Sequence, residues 1–340
     1  MGKRLKNRAG NRETTVSGVM AALIPSLRPR GRILVVEDEG AVERSLGGLE
    51  VAHWRRLAID GREASAWPPD GPFDAATLRL PRGKALLEMQ LHAVAARLAP
   101  GATIWIYGAN DEGIRSVPKR LAPLYEGGET IDTRRHCRVL QARRTDAPAR
   151  GALADWAEAV PMGGEGEPLG GLSLTSWPGL FAHGRLDPAS AMLIGALTPE
   201  DVQGDVLDFG CGAGALSLAA RRLNPEVRIT GLDIDALALH AARINLPATL
   251  LVLGDGVAAL PKGARFDTIV SNPPFHAGHD EDFRALTGLI EAAPTLLKPD
   301  GTLLLVAQRT AGSGKAIRAR LPQVTVAAED SRFQVFRAKA

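Results

Sequence analysis

The chain has 340 residues, 45% of them hydrophobic and 23% charged, and a net charge of +3. That composition is globular, and the length allows about two domains with a core each. Two cysteines, Cys137 and Cys211, exclude a disulfide framework and fit a reducing, cytoplasmic setting, and no apolar run approaches the roughly 20 residues that span a bilayer.

Residues 1–30 form a basic N-terminal arm with Lys3, Arg4, Lys6, Arg8, Arg12, Arg28 and Arg30 against one acid, Glu13. Such an arm is either a solvated tail or a binder of polyanions such as nucleic acid. A low aromatic content, 4%, argues against a sheet that stacks several bases. In the first half, 31–145, strands are expected at Gly31–Asp38, Phe73–Leu78 and Thr103–Tyr107, with a helix at Leu91–Leu98 closed by Ala99-Pro100-Gly101. Residues 146–176 are rich in Gly, Pro and Ala and read as a linker.

The second half, 177–340, alternates strand and helix. Gly204–Phe209 is a β run ending in Gly210-Cys211-Gly212-Ala213-Gly214, and a helix over Ala215–Leu223 follows, stopped by Asn224-Pro225. Further strands are expected at Val227–Leu232, Thr249–Leu253, Phe266–Ser271 and Thr302–Ala307, with helices at Ala236–Leu246 and Phe283–Leu297. Gln323–Ala328 and Arg332–Arg337 read as a closing hairpin. The alternation specifies an α/β doubly wound sheet. The first half repeats the order of elements without the chemistry. Glu37-Asp38-Glu39-Gly40 stands where the second half has its glycine loop, and Arg79-Leu80-Pro81-Arg82 stands where it has Asn-Pro-Pro-Phe. Two acids in the loop repel an anionic ligand and remove the close approach that glycine allows. This is the pattern of a tandem duplication whose first copy lost its ligand site, against a chance likeness of two α/β domains.

Gly210, Gly212 and Gly214 follow a strand and open a helix, which lets the backbone approach a cofactor closely. Asp233 ends the next strand, where a carboxylate reaches ribose hydroxyls, and Asp255 ends the one after, where an adenine would lie. Asp208 offers a carboxylate to an amino or cationic end of a ligand. Gly210, Gly212 and Ala215 also satisfy the dinucleotide fingerprint, so a nicotinamide-dependent oxidoreductase is the rival from another class.

Ser271-Asn272-Pro273-Pro274-Phe275-His276 ends the fourth strand, beside the first and at the switch point of the sheet. An amino group on an aromatic ring is a poor nucleophile because its lone pair is delocalised. The Asn272 side-chain oxygen and the Pro273 carbonyl can hold its hydrogens, turn the lone pair toward an electrophile and stabilise the positive charge that develops. The prolines stiffen the loop, and Phe275 offers a face to an extruded base. His276 reads as a solvated loop residue. The electrophile implied is the methyl group of S-adenosylmethionine, transferred in line and with no metal required.

Asp-Phe-Gly-Cys-Gly-Ala-Gly at 208–214 with Ser-Asn-Pro-Pro-Phe-His at 271–276 resembles the class I S-adenosylmethionine-dependent amino-methyltransferases. More narrowly, the chain resembles the ribosomal RNA small subunit methyltransferase C family. Phe181–Ile194, Phe283–Gly301, Ser331–Ala338 and Gly108–Ser116 carry the rest of the likeness. The resemblance implies two tandem Rossmann-like methyltransferase domains, the first degenerate and the second a seven-stranded doubly wound sheet. It implies methylation of the N2 amino group of a guanine in small-subunit ribosomal RNA, by a cytoplasmic monomer. It assigns Asp208, Gly210, Gly212, Gly214, Asp233 and Asp255 to S-adenosylmethionine, Asn272, Pro273, Pro274 and Phe275 to catalysis, and Arg185, Asp187 and Phe275 to the substrate. Arg134, Arg135, Arg138, Lys119 and Arg120 of the scaffold half are candidates for RNA phosphates. Adenine N6 and the glutamine amide of a protein are alternative acceptors for the same clamp, and a non-catalytic RNA-binding assembly protein is the alternative outside catalysis.

Overall fold

The computed structural model describes residues 8–38, 40–164, 169–273 and 280–340. The chain divides into two compact units. One holds the chain up to Arg56 and Ala64–Ala157, and the other holds Leu57–Glu63 and Glu158–Ala340.

The first unit contains α1 (Arg8–Leu27), β1 (Arg32–Val36), α2 (Ala41–Ser45), β2 (Glu50–Trp54), β3 (Phe73–Arg79), α3 (Lys84–Ala95), β4 (Leu98–Ala109), β5 (Tyr125–Arg134) and β6 (Cys137–Arg144). Its six strands run in the order β2-β1-β3-β4-β6-β5, parallel up to β4 and antiparallel beyond. Alternate residues of β1 feed opposite faces, as the period of a strand requires. Leu34 and Val36 pack with Leu87, Leu91 and Val94 of α3, and Ile33 and Val35 pack with Val16, Met20 and Ile24 of α1. The expected basic arm is therefore a helix from Arg8 onward, and its apolar stripe covers the sheet; residues 1–7 lie outside the described residues.

The second unit contains β7 (Glu158–Pro161), β8 (Ser173–Ser176), α4 (Pro188–Ala196), β9 (Asp205–Phe209), α5 (Ala215–Leu223), β10 (Arg228–Asp233), α6 (Ala236–Asn245), β11 (Leu250–Leu253), β12 (Phe266–Ser271), α7 (Asp280–Leu296), β13 (Leu297–Gln308), α8 (Ser313–Arg318), β14 (Gln323–Glu329) and β15 (Phe333–Lys339). Its seven-stranded sheet runs β11-β10-β9-β12-β13-β15-β14, with β15 antiparallel to both of its neighbours, β13 and β14. α4 and α5 cover one face, and α7 and α8 cover the other. The stretch 146–176 does not behave as a linker. Trp67 Nε1 donates to the Gly151 carbonyl at 3.0 Å, Trp156 is buried, and β7 pairs with β8 as an antiparallel hairpin. Val160, Met162, Leu169 and Leu174 of that region are buried in the core of the second unit.

Strand for strand, the first sheet is the second without its outer β11. The copies share a device at one end of the sheet. Arg32 N donates to Asp74 Oδ2 at 2.7 Å, and Asp205 N donates to Asp267 Oδ2 at 2.7 Å. The residue before each donor is a glycine, and a Cβ on Gly31 or Gly204 would lie 2.0 or 2.1 Å from that carboxylate oxygen. At the other end the copies diverge. Register pairs Leu34 with Ala76 and Leu207 with Ile269, which aligns Asn272 with Arg79, Asp208 with Val35 and Asp233 with Arg55.

Candidate functional site

β9 ends at the glycine loop, and each part of the loop is tied to a neighbouring strand or helix. Asp233 Oδ2 accepts from Gly212 N at 2.7 Å while its Oδ1 accepts from Asp235 N at 2.9 Å. Asn245 at the end of α6 donates from Nδ2 to the carbonyls of Ala213 and Thr175, each at 2.9 Å, and accepts from Thr175 N at 2.7 Å. One amide thus joins the glycine loop to β8. Gly210 and Gly212 have φ of +73° and +54°, and nothing lies within 4 Å of where a Cβ would project. Both therefore present bare backbone to open space.

Gly214 is different. Its φ is +98°, and a Cβ there would stand 2.4 Å from Leu246 Cδ1. It precedes α5 and packs against α6; it was expected at the cofactor, but it does not line the cleft.

Asp208 is fully buried beneath the loop, so it too is away from the cleft wall. Its Oδ2 accepts from Ser217 N at 3.0 Å and from Ser217 Oγ at 2.6 Å, holding the first turn of α5. Burial pushes its carboxyl up to about 7, against the lowering effect of the Ser217 hydrogen bonds and with help from the nearby Asp233 charge. Burial, and then the charge of Asp235, raises Asp233 to about 6. Asp233 and the exposed Asp255 also lie off the lined cleft, at the ends of β10 and β11.

The cleft has a volume of about 590 Å³ including its open mouth. It brings together Gly210, Gly212, Arg185, Asp187 and Asn272 from the expected set. Leu174 and Ser176 of the hairpin form part of its wall, so the stretch taken for a linker builds the site. Phe181, 56% exposed, and the buried Cys211 and Ser190 were not foreseen there. Burial raises the Cys211 thiol far above its usual range, so it is an uncharged wall. Arg185 is exposed and makes no ion pair among the described residues.

Ser271 Oγ donates to the Phe209 carbonyl at 2.8 Å, which locks the end of β12 to the end of β9 and sets Asn272 beside the loop. Asn272 Nδ2 lies 3.0 Å from Asp187 Oδ2 and 2.8 Å from Ser190 Oγ. Its Oδ1 is buried and has no hydrogen-bond partner among the described residues. Asp187 caps α4, its Oδ2 accepting from Ser190 N at 2.9 Å, with Pro188 following at the first helical position. Asp187 was expected at the substrate; here its carboxylate is directed to Asn272 and to the helix. The Asp-Pro-x-Ser run was the available signal for Ser190. Pro273 is buried at the end of the strand, and Pro274, Phe275 and His276 lie outside the described residues.

In the first unit the corresponding loop is filled by the chain itself. Asp38 Oδ2 accepts from Gly40 N at 2.7 Å and from Val42 N at 3.1 Å, and Tyr107 Oη donates to its Oδ1 at 3.3 Å. Arg79, aligned with Asn272, is paired with Glu112 through two contacts of 2.8 Å.

Residues 171–337 match the family model of the Methyltransferase small domain, and residues 52–160 match that of the Methyltransferase small domain N-terminal. The chain is 37% identical over 277 residues to the Ribosomal RNA small subunit methyltransferase C of Pseudomonas aeruginosa, covering 80% of each chain. It is 36% identical over 275 residues to the protein of the same name from Pseudomonas syringae pv. tomato, again covering 80% of each. Among solved structures, the T. thermophilus 16S rRNA N2 G1207 methyltransferase in complex with AdoMet and guanosine has a TM-score of 0.80 at 24% identity. That likeness covers 96% of this chain and 91% of the other, and it concerns the fold.

Proposed function

The chain belongs to the ribosomal RNA small subunit methyltransferase C family, and from that premise we propose that its second unit methylates the N2 amino group of a guanine in 16S ribosomal RNA. The observation that carries the reading is the Asn272 amide. Both of its N–H donors are engaged by Asp187 and Ser190, so its oxygen is the group left to receive a hydrogen bond from an incoming amine.

The residues fit S-adenosylmethionine. The open edge at Gly210 and Gly212 admits a ligand against the backbone, and Asp233 supplies acceptors for ribose hydroxyls beside it. Asp255 lies further along the same end of the sheet, and Asp208 supports the loop from below. When bound, the cofactor supplies an electrophilic methyl group on a sulfonium.

Asn272 Oδ1 takes one hydrogen of the guanine amino group, and the Pro273 carbonyl takes the second. The lone pair is thereby turned out of conjugation with the ring, and the charge that develops on nitrogen meets two fixed dipoles. The proton leaves to solvent after attack, so no strong base is needed. Phe275 stacks on the extruded base, and Arg185 at the mouth reaches a phosphate. In the first unit, Arg135 at the tip of the β5–β6 hairpin and Arg134, Arg138, Lys119 and Arg120 are the candidates for contacts to RNA phosphates. Among the described residues no helix is long and apolar enough to cross a membrane. The enzyme works in the cytoplasm as a monomer.

The test uses radiolabelled S-adenosylmethionine with unmodified small-subunit ribosomal RNA or particles, followed by nucleoside analysis. Label in N2-methylguanosine is the expected result. Label in N6-methyladenosine or in protein would keep the clamp and overturn the acceptor. An enzyme that binds the cofactor and labels none of these substrates would overturn the proposal.

A further inference from the structure

We propose that Asp187 and Ser190 are positioning residues for methyl transfer, holding the Asn272 amide so that its oxygen faces the acceptor. The inference rests on the reading of Asn272 as the acceptor of the amine hydrogens. It follows from the donor and acceptor chemistry of three side chains.

An asparagine amide has two nearly isosteric ends, and rotation by half a turn exchanges an acceptor for a pair of donors. A turned amide would point N–H groups at an amino group and repel it. An ionised carboxylate only accepts. Asp187 Oδ2, 3.0 Å away, therefore forbids the turned state, in which two oxygens would face each other. Ser190 Oγ, at 2.8 Å, takes the second N–H. Both donors are consumed, and Oδ1 remains a buried acceptor with no hydrogen-bond partner among the described residues. Such an oxygen costs free energy in the free enzyme, and an amine that reaches it recovers a hydrogen bond.

Asp187 is itself prevented from turning away. The same oxygen accepts from Ser190 N at 2.9 Å, and Pro188 fixes the chain entering α4. Ser190 thus touches both members, Asp187 through its backbone and Asn272 through its hydroxyl. The start of α4 is a rigid bracket for the catalytic amide, built from one turn of helix.

The decisive variant is Asp187→Ser. Serine is a good helix cap, so α4 keeps its start, but its shorter side chain loses the reach to Asn272. In the full chain, with radiolabelled S-adenosylmethionine and transcribed small-subunit RNA, Asp187→Ser and Ser190→Ala should each lower kcat by about tenfold or more. Cofactor affinity by calorimetry and the KM for RNA should stay within about twofold. Asp187→Asn keeps an acceptor oxygen at the same place and should retain most of kcat. The readout that separates positioning from fold support is non-additivity: in an Asn272→Ala background, Asp187→Ser should cost nothing further. If Asn272→Ala disables transfer while Asp187→Ser leaves kcat unchanged, or if the two losses multiply, the positioning role is wrong and the clamp stands. If Asn272→Ala leaves transfer intact, the clamp itself is wrong and the positioning role falls with it.

Discussion

Substituting alanine at Gly212 and at Gly214 should give opposite phenotypes, although the two glycines are two residues apart in one motif. At Gly214 the backbone has φ of +98°, outside the narrow left-handed basin that L residues tolerate, and the added methyl would stand 2.4 Å from Leu246 Cδ1. Leu246 is 2% exposed, so it cannot swing out without displacing neighbours. The backbone costs about 1–2 kcal/mol, and overpacking a filled site adds about 1–3 kcal/mol. Gly214→Ala should therefore lose about 2–5 kcal/mol of stability in the second unit. At Gly212 the φ of +54° lies within that basin, and nothing lies within 4 Å of the new methyl. Gly212→Ala should cost only about 1–2 kcal/mol in stability, yet its methyl projects into the cofactor cradle and should weaken S-adenosylmethionine binding at least tenfold. Urea unfolding followed by tryptophan fluorescence measures the first quantity, and calorimetric titration measures the second. A Gly214→Ala protein as stable as the parent, with a specific loss of cofactor, would refute the packing role given to Gly214.

Asn272→Ala should slow methyl transfer about a hundredfold or more, by analogy with deleting one transition-state hydrogen-bond partner, while calorimetry shows the cofactor binding as before. The raised carboxyls give a pH signature with two signs. For Asp233 and Asp208 the folded state holds the proton more tightly than the unfolded chain does, so their contribution to stability is complete below pH 3.8 and is lost as pH rises through about 6 and about 7. Asp208→Asn should flatten the stability slope between about pH 4 and 7 in denaturation series; an unchanged slope would show that Asp208 titrates elsewhere. Cofactor affinity moves the other way: an Asp233 that must be ionised to accept two ribose hydroxyls should bind progressively less well below about pH 6, which titration calorimetry across that range checks. Asp267→Ala removes the acceptor for Asp205 N and one partner of Lys298, each at 2.7 Å, and should cost about 1–3 kcal/mol in urea unfolding without changing cofactor affinity.

Much of the second sheet was legible because its turns carry explicit punctuation. Asn224-Pro225 ends α5 and Pro247 follows α6, where a missing N–H forbids continuation. The strand Phe266–Ser271 and the helix Ala215–Leu223 fall where the pattern placed them. The β7–β8 hairpin was hidden because Gly, Pro and Glu dominate its surroundings, and its few apolar residues find partners only in distant elements such as α4 and α5. α1 was hidden by its charges. Val16, Met20 and Ile24 recur at helical spacing, but the arginines and lysines that surround them in the sequence obscure that period. The chemistry of Asn272 was readable from the strand end and its prolines, whereas the partners that fix its amide were not. Asp187 and Ser190 lie 85 and 82 residues away, and only the packing of α4 on the sheet brings them to it.

The carboxylate latch between the residue after each opening glycine and the start of the neighbouring strand is present in both halves, while the opposite rim differs between them. A doubly wound sheet thus ages unevenly. The edge where strands begin answers only to folding, and any chain that must keep its shape must keep it. The edge where strands finish answers to the reaction, and a copy released from the reaction is free to plug it with its own side chains, as Asp38 and Arg79 do. The line between what the two sheets share and where they differ therefore runs across the strands rather than along the chain. The same glycine–carboxylate device stands at the first edge of both sheets, and only one of them keeps an open working edge opposite it.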